Sequence, residues 1–318
     1  MASGVQAPVA ETAGAVLRIV DAACRLGDTR RRAMPFFNSR VHLMSSDFSD
    51  WIGRSEESSD VLEPARSNAL LAATGKAGEG QAGDEMPLLH HWLYFWNVQP
   101  PAGLGEDGHP AKGGFLPPVP LPRRMWAGGR LKFVKPLVLG DTVHKTSKIL
   151  DIKEKAGKTG KLVFVTVEHR LAGAGGLAIV EEQDLVYREP AASGSIAPPS
   201  IDGAQAQAPW CERIETDTVL LFRYSALTMN GHRIHFDLPY ARDEEAYPGL
   251  VVHGPLQASL LIDLAARNRT APISHFTFRG QQPAFAGAPL YICGESDGDA
   301  VSLWTEQGGT RNMVATAS

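Results

Sequence analysis

The chain has 318 residues, 43% hydrophobic and 21% charged, enough apolar material to fill one large core or two of ordinary size. Its 31 Lys+Arg against 35 Asp+Glu give a formal net charge of −4, a balance that argues against nucleic acid or an anionic membrane as partner. Cys24, Cys211 and Cys293 lie far apart without a CxxC pair, which argues against a disulfide scaffold or a thiolate zinc site and implies a reducing compartment. No apolar run approaches the roughly 18 residues of a membrane span, and the first apolar stretch is broken by Arg18 and Asp21, a poor signal peptide.

Residues 1–43 read as a disordered extension in which Arg18, Arg25, Arg30, Arg31, Arg32 and Arg40 outnumber Glu11, Asp21 and Asp28. A transit peptide and a tail ahead of a start at Met44 both remain open. Ser58-Ser59-Asp60, Pro64 and Gly75 predict a short capped helix over 61–74, followed by a Gly-rich loop over 75–87. From Trp126 onward, residues 131–134, 142–153, 162–171 and 178–187 predict long antiparallel strands, with a hairpin loop over 154–160. Pro190, Pro198, Pro199 and Pro209 among small uncharged residues mark a linker over 190–209, dividing a first domain, 44–189, from a second, 210–318.

A weak repeat relates the two halves: Pro136, Gly140 and Val143 match Pro283, Gly287 and Leu290 in spacing, each set after a Phe-bearing strand. The second half opens with a helix over 217–228, capped by Thr216 or Asp217, and then a helix over 254–267 that is apolar nearly all round. Strands near 274–280, 289–295, 301–305 and 311–317 supply a sheet to wrap that second helix.

Polar groups concentrate between Arg223 and Asp237. Asn230 offers donor and acceptor, and His235 can exchange a proton near neutral pH, so the pair can hold and activate a water; capping and turn chemistry explains the same spacing. Gly254 opens the apolar helix, where an orphan N–H at the positive end of the helix dipole can stabilise an oxyanion. His90-His91 lies among Trp92, Tyr94, Phe95 and Trp96 and reads as aromatic core rather than a metal pair, and Gly173 to Gly176 as a turn.

The stretch from Tyr224 to Asp237, then Val252-His253-Gly254, resembles the signature of MaoC-type enoyl-CoA hydratases, with Asn230, His235 and Gly254 at the positions of that family's Asp, His and Gly. The runs 50–56, 91–95, 113–130 and 230–235 are similar to the double hot-dog subfamily of mesaconyl-CoA hydratases; mitochondrial 3-hydroxyacyl-thioester dehydratases share the Asn-x4-His variant. The resemblance implies an α+β double hot-dog fold, two antiparallel sheets each wrapped around a central helix. It implies hydration of a branched, carboxylate-bearing enoyl-CoA to citramalyl-CoA, with no metal and no organic cofactor. His235 would be the base, Asn230 the orienter of water and Gly254 the oxyanion donor, while Arg233, Arg123, Arg124 and His232 would bind substrate. A 3-hydroxyacyl-thioester dehydratase of fatty-acid synthesis is the alternative within enzymes, and a non-catalytic acyl-thioester binding module the alternative outside them. The expected setting is a cytoplasmic homodimer, in the mitochondrial matrix if the chain is eukaryotic.

Overall fold

In 163–167, valines alternate with Phe164 and Thr166: Val163, Val165 and Val167 are buried while the residues between them are half-buried, the period of two that makes a strand. The computed structural model describes residues 48–157, 160–190, 197–198 and 207–318. The expected extension, 1–43, and most of the expected linker lie outside the described residues.

The first half contains β1 (Ser55–Val61), α1 (Pro64–Ala73), β2 (Arg123–Phe133), β3 (Thr142–Gly157), β4 (Gly160–Gly173) and β5 (Gly176–Arg188). The second contains β6 (Trp210–Ile214), α2 (Thr218–Thr228), α3 (Gly254–Asn268), β7 (His275–Gly280), β8 (Leu290–Asp297), β9 (Ala300–Gln307) and β10 (Thr310–Ala317). All ten strands join one antiparallel sheet in the order β1-β3-β4-β5-β2-β7-β10-β9-β8-β6. The halves meet at β2 and β7, where Gly128 to Lys132 pair with Arg279 to His275.

The repeat is structural. Gly140 and Gly287 both take left-handed φ values, +91° and +90°, and their N–H groups donate to the carbonyls of Leu62 (2.8 Å) and Thr216 (3.0 Å), just past β1 and β6. Met86 N to Leu137 O and Val252 N to Ala284 O, both 2.8 Å, repeat the same tie. Beyond this point the halves part. Val252 leads into α3, whose Leu256, Leu260, Leu261 and Leu264 bury against β7 to β10. Met86 leads instead into the single turn His90–Leu93 and a long loop to β2.

The expected pair of sheets, each with its own helix, is therefore one sheet with one long helix along its second half. Pro87, Pro100, Pro101, Pro110, Pro117 and Pro118 explain why, since proline removes the N–H and the space a helix interior needs. Helix α1 begins at Pro64 rather than 61 because Ser58 to Asp60 belong to β1, and it packs against α2. The cap of α2 is Asp217.

His91 is buried, as the aromatic-core reading expects, but it is also polar-bonded: Nε2 lies 2.9 Å from Glu181 Oε2, which Trp92 Nε1 also meets. The distant cysteines Cys211 and Cys293 oppose each other across β6 and β8 with sulfurs 2.7 Å apart, an adjacency that linear spacing does not reveal. Cys24 lies outside the described residues.

Candidate active site

Helix α2 ends at Met229, which adopts φ +51° and ψ +33°, a left-handed conformation that costs an L-residue roughly 1–2 kcal/mol. It turns the chain so that Asn230 N bonds Ser225 O at 2.9 Å. Asn230 Oδ1 then accepts from His232 N at 3.0 Å, an Asx turn, and the 3₁₀ turn Arg233–His235 delivers the His235 side chain into the interior.

His235 Nδ1 lies 2.7 Å from Val251 O. A carbonyl only accepts, so Nδ1 carries the proton and the neutral ring keeps its lone pair on Nε2. Nε2 has no hydrogen-bond partner among the described residues. Burial holds this imidazole well below its usual pKa of 6.5, with His253 and His232 pushing the same way against the Val251 bond. At neutral pH the ring is uncharged and able to accept a proton.

His253 caps α3 and stacks on His235, 3.6 Å between ring centroids. Its Nε2 lies 2.9 Å from Ser225 Oγ, which ties α3 to α2. Gly254 follows as the first helical residue. A Cβ there would meet only Met313 Cε at 3.8 Å, an ordinary contact, and its φ is not left-handed. Nothing in the chain's own packing requires glycine at this point.

A loop of the first half covers the turn. Arg233 N donates to Asp107 O at 3.0 Å, and Arg233 Nη1 to Glu106 O at 3.1 Å. Gly108, at φ +85°, runs back to back with Gly231: a Cβ on Gly108 would sit 2.0 Å from Gly231 O. The loop sets the His109 ring 4.3 Å from that of His232. Asp107 Oδ2 bonds His109 Nδ1 at 3.0 Å. Burial draws His109 down to about 4 against that bond. Burial also works to raise the Asp107 carboxyl, and the His109 hydrogen bond overcomes it and holds the group well below the usual range. Asp107, His109 and His232 offer ligand-type atoms within 4.8 Å of one another, the set among the described residues able to gather round a cation.

The four residues expected to bind substrate have different surroundings. Arg233 is committed locally: Nε and Nη2 lie 2.9 and 2.7 Å from Asp237 Oδ2, and its guanidinium lies 4.1 Å over the Tyr240 ring. Arg124, half-buried, opposes Tyr187 across β2 and β5 and makes no ion pair among the described residues. His232 is buried, with Nε2 3.5 Å from Glu245 Oε1. Arg123 is buried as well, with Nε 3.2 Å from Glu245 Oε2. Glu245, His253, Ser225 and the Asp107–His109 pair have no assigned role in the sequence reading. His253 sits inside the motif already quoted, whereas no local spacing links Glu245 or residues 107–109 to His235.

Residues 89–286 match the family model for hydroxyacyl-thioester dehydratase type 2. The chain is 44% identical over 262 residues to the mesaconyl-C(4)-CoA hydratase of Chloroflexus aurantiacus, covering 82% of this chain and 93% of that one. It is 29% identical over 248 residues to the mitochondrial hydroxyacyl-thioester dehydratase type 2 of Schizosaccharomyces pombe, covering 69% and 79%. Among solved structures, HtdX of Mycobacterium tuberculosis superposes with a TM-score of 0.58 at 17% identity, covering 83% and 99%. Another M. tuberculosis protein, described as having a double hotdog fold, gives 0.51 at 12% identity, covering 84% and 96%. These structural likenesses show the double hot-dog fold.

Proposed function

The chain belongs to the hydroxyacyl-thioester dehydratase type 2 family, and from that premise we propose that it adds water reversibly to the double bond of mesaconyl-CoA, giving citramalyl-CoA. It is a hydro-lyase acting on an acyl-CoA thioester. The observation that carries the chemistry is the bond from His235 Nδ1 to Val251 O, which leaves Nε2 as a neutral base. Nε2 takes a proton from water as the water oxygen bonds the β-carbon. The π electrons move to the thioester oxygen, where the Gly254 N–H, an orphan donor at the positive end of α3, meets the growing charge. The imidazolium then returns the proton to the α-carbon, so one water is added and the base restored. Asn230 has Nδ2 and the second lone pair of Oδ1 left to hold the water. The absent side chain at Gly254 supports the assignment, since the fold itself has room for a Cβ there.

The mesaconyl chain is supported by 44% identity across most of both proteins. A 3-hydroxyacyl-thioester dehydratase of fatty-acid synthesis is the second reading, favoured by the family model and the yeast relative at 29%. As parts of the same proposal, 44–189 is a hot-dog partner without its own water-activating pair, 190–209 a linker, and 210–318 the catalytic half of each chain in a homodimer. Among the described residues no helix is long and apolar enough to cross a membrane; cytoplasm, or the matrix in a eukaryote, is the proposed location. Mass spectrometry of mesaconyl-C4-CoA, crotonyl-CoA and long-chain 3-hydroxyacyl thioesters incubated with the protein tests the reading. Gain of one water on mesaconyl-C4-CoA supports it; turnover confined to the long-chain thioesters favours the second reading.

A further inference from the structure

We infer that Arg123 and Arg188 form the subsite for the free carboxylate of the acyl chain, with Glu245 as the positioning residue that holds Arg123 beside His232. The inference rests on the hydratase reading above.

Three observations converge on it. Arg123 and Arg188 stand directly opposite each other on β2 and β5, so their side chains leave the same face, where like charges repel. Glu245 is the acid that meets Arg123. Its Oε2 lies 3.2 Å from Arg123 Nε, its backbone carbonyl accepts from Arg123 Nη2, and Oε1 lies 3.5 Å from His232 Nε2. Arg188 has no ion-pair partner among the described residues. Two guanidinium groups and one carboxylate leave a positive charge over, and one more carboxylate neutralises the group.

Arg123 also has an unused donor. Its side chain is 4% exposed, and Nη1 has no hydrogen-bond partner among the described residues. A buried donor left unpaired is unfavourable, more so when charged, and the guanidinium fork matches the two oxygens of a carboxylate. The Tyr247 ring, 5.6 Å from the Arg123 Cζ, bounds the site on another side.

Position is the third observation. In a mesaconyl chain the carboxylate is borne by the carbon that takes the hydroxyl, so its cation must stand close to the imidazole that activates water. His232 joins the two places: its ring is perpendicular to that of His235 with 5.4 Å between centroids, and it shares Glu245 with Arg123. A linear enoyl chain presents nothing for the arginines to bind, so the pair selects dicarboxylic acyl thioesters.

The test is steady-state hydration of mesaconyl-C4-CoA and crotonyl-CoA by wild type, Arg188→Gln and the double variant Arg123→Met/Glu245→Gln, which leaves no buried charge unpaired. The double variant should lose about 10²-fold in kcat/KM on mesaconyl-C4-CoA, the scale for a buried charge pair, and Arg188→Gln about 10-fold, chiefly through KM. Losses on crotonyl-CoA should be far smaller. Both thioesters carry the same CoA phosphates, so parallel losses on both mean a phosphate contact or a structural role and overturn the subsite. A wild type that prefers crotonyl-CoA overturns the subsite while the hydratase reading stands. A wild type inactive on both overturns that reading, and the subsite with it. If the double variant does not fold, Arg188→Gln alone decides between the same outcomes.

Discussion

The imidazole of His253 lies on that of His235 with 3.6 Å between centroids and 19° between planes, an arrangement that neutral rings tolerate and two imidazolium ions do not. Burial holds His253 down at about 3 and His235 well below 6.5. It also holds His90, His109 and His169 at about 4 each. Because each folded value lies below the unfolded one, the unfolded chain binds more protons in the interval between them, and stability rises with pH there. The contribution is therefore complete above about pH 6.5 and is lost as pH falls toward 4 and then 3. Thermal melts should show Tm dropping steadily from pH 6.5 to pH 4, less steeply in His253→Asn. A Tm flat across that range would contradict the burial of neutral imidazoles.

His235→Ala should lower kcat by about 10²-fold or more, the usual scale for loss of a general base. The ring is nearly enclosed, so circular dichroism must first show that the variant is folded. Near-full hydration by a folded His235→Ala protein would remove His235 from the mechanism.

Asn230 is bonded through Oδ1 to His232 N, a contact an aspartate oxygen reproduces and a methyl group does not. Asn230→Asp should keep part of the activity with an altered pH profile, because the new carboxylate can itself ionise. Asn230→Ala should be severely impaired. If Asn230→Ala matches wild type in kcat/KM, the residue serves the turn alone.

Strand β4 is legible in sequence because buried and half-buried residues alternate from Leu162 to Val167, and β3 and β5 because they are rich in β-branched and apolar residues in partial alternation. The edge strand β1 is not: Ser55–Val61 is almost wholly exposed, and its register against β3 comes from backbone pairing that no apolar pattern announces. Strand β6 is half-buried nearly throughout and equally silent. At the site, Asn230, His235 and Gly254 come to notice through spacing and family resemblance. Asp107–His109 does not, because its relation to His232 is made by a loop from the other half of the chain, and Glu245 does not, because only the turn Tyr240–Glu244 folds it back onto His232. Arg233 draws attention by sitting in the motif, yet its charge is spent on Asp237.

The two halves share a sheet through β2 and β7. Residues 206–318 expressed alone would expose β7 as an unpaired edge and lose the loop over Arg233. That fragment should be unstable or nearly inactive by melting and by hydration assay. Full activity with unchanged substrate choice would show that the first half is dispensable.

Gly108→Ala is the smallest change that separates the loop from the turn. A Cβ at residue 108 would lie 2.0 Å from the Gly231 carbonyl oxygen, backbone that cannot swing aside as a side chain can, and φ +85° is already hostile to alanine. The loop must therefore move, and with it the bonds from Arg233 N and Nη1 to Asp107 and Glu106 and the contact of His109 with His232. Gly108 is half-buried in a loop outside the sheet and helices, so the stability cost should stay within the usual range for backbone strain, about 1–3 kcal/mol. Catalysis should suffer more, since displacement of a site by about an ångström can cost 10²-fold. Hydration kinetics beside a thermal melt separates the two effects. A variant that loses several kcal/mol while kcat/KM per folded molecule is unchanged would make the loop a structural strap with no part in shaping the site.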